Sequence, residues 1–164
     1  MISAIVAVEQ NQGIGFNGSM PWPHLKADMQ WFKKITTNNV VIMGSNTWKS
    51  LNYKPLPNRI NVVLSRTHDY SGDNAADRTF SDPNNALTFC QADYPDKEIF
   101  IIGGGKIYDF YLPYIDKFYI TEIQDNFECD TFFNLTNVQT RSKVVNTIAS
   151  YTDPINFIIK EYII

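Results

Sequence analysis

Four short stretches of the chain are apolar at nearly every position: residues 2–8, 40–43, 60–64 and 99–102. A run without alternation suits a strand covered on both faces, as in a parallel sheet. Leu25, Asp28, Phe32 and Ile35 fall on one helical face, with Lys26, Gln30, Lys33 and Lys34 on the wet side. That spacing predicts a helix from about Leu25 to about Thr37. Ser45-Asn46-Thr47 offers N-cap residues for a short helix holding Trp48. Asp82-Pro83 is a helix start, and Ala86, Leu87, Phe89 and Cys90 supply its apolar side. Residues 106–112 form a further predicted helix after Gly103-Gly104-Gly105. Residues 117–123 and 156–164 read as strands. With no crossover helix between them, they are predicted antiparallel. Loops are predicted at 10–23, at 52–58 and across the polar, turn-rich residues 67–82. Strand and helix alternate four times before the final strands, which predicts an α/β fold with a mostly parallel sheet.

Asp28 interrupts an apolar stripe, and a carboxylate removed from water without partners is costly. Two readings stand. Asp28 marks the stripe's edge or caps a later-starting helix, or it is a buried acid awaiting a ligand with N–H donors. The loop at 10–23, with Gly13, Gly15 and Gly18, is either a lid or surface irregularity. Small or basic residues stand at three strand ends: Gly44, Ser65-Arg66 and Gly103-Gly104-Gly105. A strand that turns directly into a helix collects unpaired N–H groups and the positive end of a dipole. Glycines there let a ligand approach the backbone closely. In open α/β sheets ligands bind outside the carboxyl ends of strands, so a long phosphate-bearing ligand such as a dinucleotide would span the three turns. The glycines do not follow the G-x-G-x-x-G spacing, so an ordinary Rossmann domain is not inferred.

At 164 residues the chain reads as one domain with a real core. A net charge of −3 argues against nucleic acid or anionic membrane as the main partner. Cys90 and Cys129 are expected to be free thiols in a reducing compartment, so the chain is expected in the cytoplasm. His24 and His68 are the only histidines and neither has a ligand-spaced companion, so no metal site is expected. The first residues lack a basic n-region and Glu9 follows at once, which suits a strand and not a signal peptide. No apolar run reaches membrane-spanning length. Asn17-Gly18-Ser19 and Asn134-Leu135-Thr136 match a glycosylation sequon and are set aside without a secretion signal.

A set of short motifs follows in fixed order. They are Ile2-Ser3-Ala4-Ile5-Val6-Ala7, Gly13-Ile14-Gly15, Met20-Pro21-Trp22, Ala27-Asp28 with Trp31-Phe32-Lys33, and Val41-Ile42-Met43-Gly44 with Thr47-Trp48. Then come Pro55-Leu56-Pro57 with Arg59, Asn61-Val62-Val63-Leu64-Ser65, Ile102-Gly103-Gly104-Gly105 with Ile107-Tyr108, and Asp130-Thr131-Phe133. In this order and spacing the chain resembles dihydrofolate reductase of the bacterial chromosomal type over essentially its whole length. The resemblance implies a single-domain fold with an eight-stranded, mostly parallel sheet, antiparallel C-terminal strands and about four helices. It also implies reduction of 7,8-dihydrofolate to tetrahydrofolate by NADPH, in support of one-carbon and thymidylate metabolism.

By that resemblance Asp28 accepts two N–H groups of the pterin and favours its protonated form. Burial among Leu25, Phe32 and Ile5 is expected to raise the pKa of Asp28. Thr121 hydrogen-bonds the acid and the pterin amine, Trp22 holds a water and walls the site, and Tyr108 completes the catalytic set. Ile5, Val6, Phe32, Leu51, Leu56 and Ile102 line the substrate channel, and Arg59 binds the α-carboxylate of the glutamate tail. Ala7, Ile14, Gly15 and Met20 meet the nicotinamide end of NADPH. Gly44, Asn46, Thr47, Gly103, Gly104, Gly105, Lys106, Ile107 and Tyr108 meet its middle, with a cis peptide implied at Gly103-Gly104. Leu64, Ser65 and Arg66 meet the adenosine 2′-phosphate. Asp130 supports the closed lid. Antifolates such as methotrexate or trimethoprim are implied inhibitors, and a monomer is implied.

The chain departs from the family pattern at Ser45, where arginine is frequent, at the extra residue in Pro23-His24, at Cys129, where glycine is usual, and at Lys26. Two alternatives remain open: a reductase for another pterin or a riboflavin-pathway pyrimidine, and a non-catalytic binding or structural subunit.

Overall fold

The computed structural model describes residues 1–72 and 75–164. Its elements are β1 (Ile2–Val8), β2 (Gly13–Gly15), α1 (Lys26–Thr36), β3 (Val40–Gly44), α2 (Ser45–Ser50), β4 (Ile60–Leu64), β5 (Arg78–Phe80) and α3 (Pro83–Asp93). They continue with β6 (Ile99–Ile101), α4 (Gly105–Tyr111), β7 (Lys117–Ile123), β8 (Thr131–Phe132), α5 (Leu135–Arg141), β9 (Val144–Tyr151) and β10 (Phe157–Ile163). Eight strands form one sheet in the order β5-β4-β3-β6-β1-β7-β10-β9, and β2 pairs with β8 apart from it. From β5 to β7 every neighbour is parallel, and β10 runs antiparallel to both β7 and β9.

The apolar runs form central strands because both faces are covered. Along β3, Val40 and Ile42 belong to a core shared with Val62, Ile101, Phe118, Tyr111 and Val138. Val41 and Met43 point the other way, to Ile5, Val63, Phe100 and Trp48, where Trp31, Phe32 and Ile35 of α1 pack. Residues 40 to 43 are all fully buried, and burying an aliphatic side chain stabilises by roughly 1.5–3 kcal/mol. α3 starts as its sequence predicts, with Asp82 accepting the Asn84 N–H at 2.8 Å and Pro83 in the first turn.

Several expectations are corrected. The 67–82 stretch contains β5, whose Thr79 and Phe80 pair with Val63 and Leu64; Asp73 and Asn74 of that stretch lie outside the described residues. A helix, α5, does lie between β7 and β10, but β9 follows it and β10 returns as a hairpin partner, so the antiparallel pairing holds. α2 is capped by Gly44 with no side-chain bond, not by Ser45, Asn46 or Thr47, because the strand turns into the helix without a spacer. The loop at 10–23 carries β2. The described residues hold five α-helices, four of them of seven residues or more. None of their helices is long and apolar enough to cross a membrane.

Candidate active site

The acid end is built by α1 and β7. Asp28 sits in the first turn of α1, where the dipole favours negative charge. Thr121 lies on β7 opposite Ala7 of β1 and is 3% exposed. Its hydroxyl donates to Asp28 Oδ1 at 2.5 Å. Burial raises the Asp28 pKa, and the Thr121 hydrogen bond opposes that rise in part. Asp28 is half-buried and neither exposed at the stripe's edge nor a cap, and the remaining lone pairs of its carboxylate can accept further donors. A cavity of about 280 Å³ is lined by Met20, Trp22, Leu25, Asp28 and Met29 among others. Trp22 is buried and meets Phe127 edge-on, with ring centroids 6.1 Å apart. Met20 is 53% exposed at the loop's end.

An apolar wall leads from α1 to the loop at 52–58. Phe32, Leu51, Leu56 and Ile102 pack against the core group that contains Ile5, Met43 and Trp48. Val6 faces the opposite core. Arg59 ends this wall. Its Nε donates to the Pro57 carbonyl at 2.9 Å and its Nη1 to Thr36 Oγ1 at 3.1 Å. The guanidinium carbon lies 5.9 Å from the Phe32 ring centroid. Among the described residues the ion pairs are Lys117–Glu98 and Lys160–Glu122, so Arg59 has no carboxylate partner there.

Two residues that fix Arg59 escape a reading by composition. Thr36 is fully buried, and its hydroxyl also donates to the Phe32 carbonyl at 2.7 Å. Asn61 is 1% exposed and clamps the proline loop. It accepts the Leu56 N–H at 2.9 Å and donates to the Leu56 and Arg59 carbonyls at 2.9 and 3.1 Å. Its own N–H goes to Asp77 Oδ2 at 2.7 Å. The available signal was an amide inside a strand expected to be buried on both faces.

The glycine turns meet at the carboxyl ends of β3 and β6. The Gly44 N–H donates to the Gly103 carbonyl at 2.8 Å. The Gly103-Gly104 peptide is cis, and Gly103 has φ +113°, a region that glycine occupies without strain. A Cβ on Gly44 would lie 2.9 Å from Ile107 Cγ1, and one on Gly105 would lie 2.8 Å from Thr131 Cγ2. Beside Gly104 the nearest atom to such a Cβ is Thr47 Oγ1 at 4.0 Å, so the space beside this turn is open. Neither α2 nor α4 has a capping side chain, which leaves first-turn N–H groups for a ligand. Asn46 and Lys106 are exposed, and Thr47 and Ile107 are half-buried. This cradle of open backbone and helix starts fits a pyrophosphate.

Leu64 is buried at the end of β4, Ser65 is half-buried and Arg66 is exposed. The Ser65 oxygen accepts the Thr67 and His68 N–H groups at 3.4 and 3.1 Å, which leaves its O–H to donate outward. Tyr108 is buried, and its hydroxyl donates to the Ile5 carbonyl at 2.6 Å. Burial pushes its pKa up. Its proton is thus committed to the backbone of β1.

The loop at 10–23 is tied to residues 124–133. Gly13 and Gly15 pair with Phe132 and Thr131. The Asp130 N–H donates to the Gly15 carbonyl at 2.9 Å, and its carboxylate accepts the Asn17 N–H at 3.0 Å. Ile14 packs against the main core. The departure at Cys129 fills room that Gly13 leaves, since a Cβ on Gly13 would fall 2.3 Å from Cys129 Sγ. Cys90 and Cys129 are both free.

A half-buried acid, an arginine with no carboxylate partner among the described residues and open glycine turns at the strand ends are the features of an α/β fold with a ligand site. The dihydrofolate reductase family model matches residues 1–162. The dihydrofolate reductase of Haemophilus influenzae is 43% identical over 132 residues, covering 80% of this chain and 77% of that protein. That of Bacillus subtilis is 38% identical over 133 residues, covering 81% of this chain and 75% of its own. A solved structure of the Enterococcus faecalis dihydrofolate reductase, complexed with NADP(H) and RAB-propyl, superimposes with a TM-score of 0.80 at 28% identity. The superposition covers 99% of this chain and 95% of that one. The chain belongs to the dihydrofolate reductase family.

Proposed function

We propose that this chain reduces 7,8-dihydrofolate to 5,6,7,8-tetrahydrofolate with NADPH. The observation that carries the reading is the Asp28–Thr121 hydrogen bond, made by a half-buried carboxylate on the same helix as Phe32, beside which Arg59 lies. NADPH bound along the glycine turns supplies the hydride. Asp28 accepts the exocyclic amine and the adjacent ring N–H of the pterin as a bidentate, charge-assisted pair. Its negative charge favours a protonated imine nitrogen, with water delivering the proton. Thr121 orients the carboxylate, and Trp22 walls the pterin against bulk water. Ile5, Phe32, Leu51, Leu56 and Ile102 contact the rest of the substrate, Val6 being turned to the opposite core, and Arg59 takes its α-carboxylate. Ala7, Ile14, Gly15 and Met20 hold the nicotinamide end. Gly44, Asn46, Thr47, the three glycines, Lys106 and Ile107 hold the pyrophosphate, and Leu64, Ser65 and Arg66 the 2′-phosphate. Tyr108 positions β1 through Ile5. We place the chain in the cytoplasm as a single-domain monomer, a target of methotrexate-type antifolates.

The test is cofactor oxidation with dihydrofolate, with a tail-less dihydropterin and with a riboflavin-pathway pyrimidine. Dihydrofolate is expected to be preferred; turnover of the pyrimidine without turnover of dihydrofolate would overturn the reading.

Two further substitutions probe the supports. Thr121→Val keeps the shape and removes the donor that lowers the Asp28 pKa. The acid limb of the pH–rate profile is expected to move to higher pH, and the KM for dihydrofolate to rise about tenfold. Asn61→Ala unclamps the loop carrying Leu56 and Arg59. Unfolding in urea is expected to show a loss of about 2 kcal/mol, because buried backbone groups lose their partner. KM for dihydrofolate is expected to rise with little change in kcat.

A further inference from the structure

Glu9 is 2% exposed at the end of β1, where the lid begins. A carboxylate buried without a cation needs several hydrogen bonds to be tolerated. Glu9 finds them on two separate loops. Its Oε1 accepts the Asn11 and Gly13 N–H groups at 2.9 and 2.8 Å, closing the turn into β2. Its Oε2 faces the Phe127 N–H at 3.4 Å, across in the 124–133 loop. The same junction carries the Gln10 N–H to the Asp125 carbonyl at 3.2 Å and the Asn11 amide to Asn126 Oδ1 at 3.3 Å. Closing the turn alone would need only Oε1. The second oxygen joins the root of the lid to the loop whose far end, through Asp130, holds Gly15 and Asn17.

We infer that Glu9 is a positioning residue that latches the root of the lid to the 124–133 loop and so holds Ile14 and Gly15 in place over the nicotinamide. The assignment of that ligand rests on the proposed function; the latch itself does not. Asp130 secures the tip of the lid and Glu9 its base. Between them the short β2–β8 pairing is held at both ends, although it has only two paired positions.

Glu9→Gln separates the two jobs. The amide oxygen can keep the Asn11 and Gly13 N–H groups, while the new –NH2 meets the Phe127 N–H donor to donor. Glu9→Asp, shorter by one methylene, keeps the charge but withdraws from Phe127. In the free chain, amide exchange at Asp130 and Phe133, whose N–H groups bind Gly15 and Gln12, is expected to quicken about tenfold in both variants, the loss of one charge-assisted bond. NADPH affinity is expected to weaken about tenfold for the same reason, with the KM for dihydrofolate at saturating NADPH within about twofold. Unchanged exchange at both amides would overturn the latch, and so would equal weakening toward NADPH and dihydrofolate with a lowered melting temperature, the mark of general loosening. Should the wild type not bind NADPH at all, the proposed function fails, and the exchange measurement still decides the latch.

Discussion

Asp28→Asn is expected to lose about a hundredfold or more in kcat/KM for dihydrofolate, the scale of a positioned carboxylate's contribution, and yet to melt at a higher temperature than the wild type at neutral pH. The first effect follows from hydrogen-bond inventory. Asp28 already receives the Thr121 hydroxyl, and its remaining lone pairs suit two parallel N–H donors. An amide in its place offers one acceptor and presents an –NH2 to a second donor. It also removes the charge that favours protonation of the ligand. The second effect follows from linkage. Burial raises the Asp28 pKa above its ordinary value near 3.8, so the folded chain holds that proton more tightly than the unfolded chain. The ionised carboxylate therefore costs stability. The cost is absent below about pH 4, grows as pH rises toward the raised value, and is complete above it. Urea unfolding of both proteins across that window checks the sign. The advantage of Asp28→Asn is expected to vanish in acid. Retention of full activity in the variant would contradict the role given to this acid.

Arg59→Lys is expected to raise the KM for dihydrofolate about a hundredfold with kcat nearly unchanged, the cost of breaking a charged pair held in place. The guanidinium is pre-aimed: Pro57 and Thr36 take two of its donors and Phe32 lies beneath it. The planar fork can then meet both oxygens of a carboxylate, whereas an ammonium on a flexible stem cannot reproduce that geometry. A substrate lacking the glutamate tail is expected to show no difference between the two proteins. Steady-state kinetics on both substrates separates lost tail recognition from general damage to the site, which would lower turnover of both.

How much of this was legible depends on how each feature writes itself into the chain. The central strands were plain because both faces of residues 2–8, 40–43 and 60–64 meet apolar neighbours. β9 was not, since it is an edge strand exposed along nearly its whole length and carries no alternation a core would impose. α5 buries only Leu135 and Val138, too few positions to show a period, although Asn134 was available as its cap and does accept the Asn137 N–H. β5 is three residues long and depends on β4 for its existence. In the site, Asp28 was visible as a charge on an apolar stripe. Its partner Thr121, and Arg59, which we propose binds the glutamate tail, were ordinary residues until the family resemblance gave them roles. Asn61 and Glu9 act through side-chain bonds to backbone groups, which leave no periodic trace. Each did carry one local sign, a polar group inside or just after a strand buried on both faces.

If Asp28 and the glycine cradle serve one reaction, a single-turnover experiment shows it. The chain is first saturated with NADPH and then mixed with dihydrofolate, while reduced nicotinamide fluorescence and tetrahydrofolate are followed together. One reduced nicotinamide is expected to be consumed and one tetrahydrofolate formed per site in the wild type, slowed at least about a hundredfold in Asp28→Asn. A wild-type chain that binds both ligands and consumes neither would contradict it.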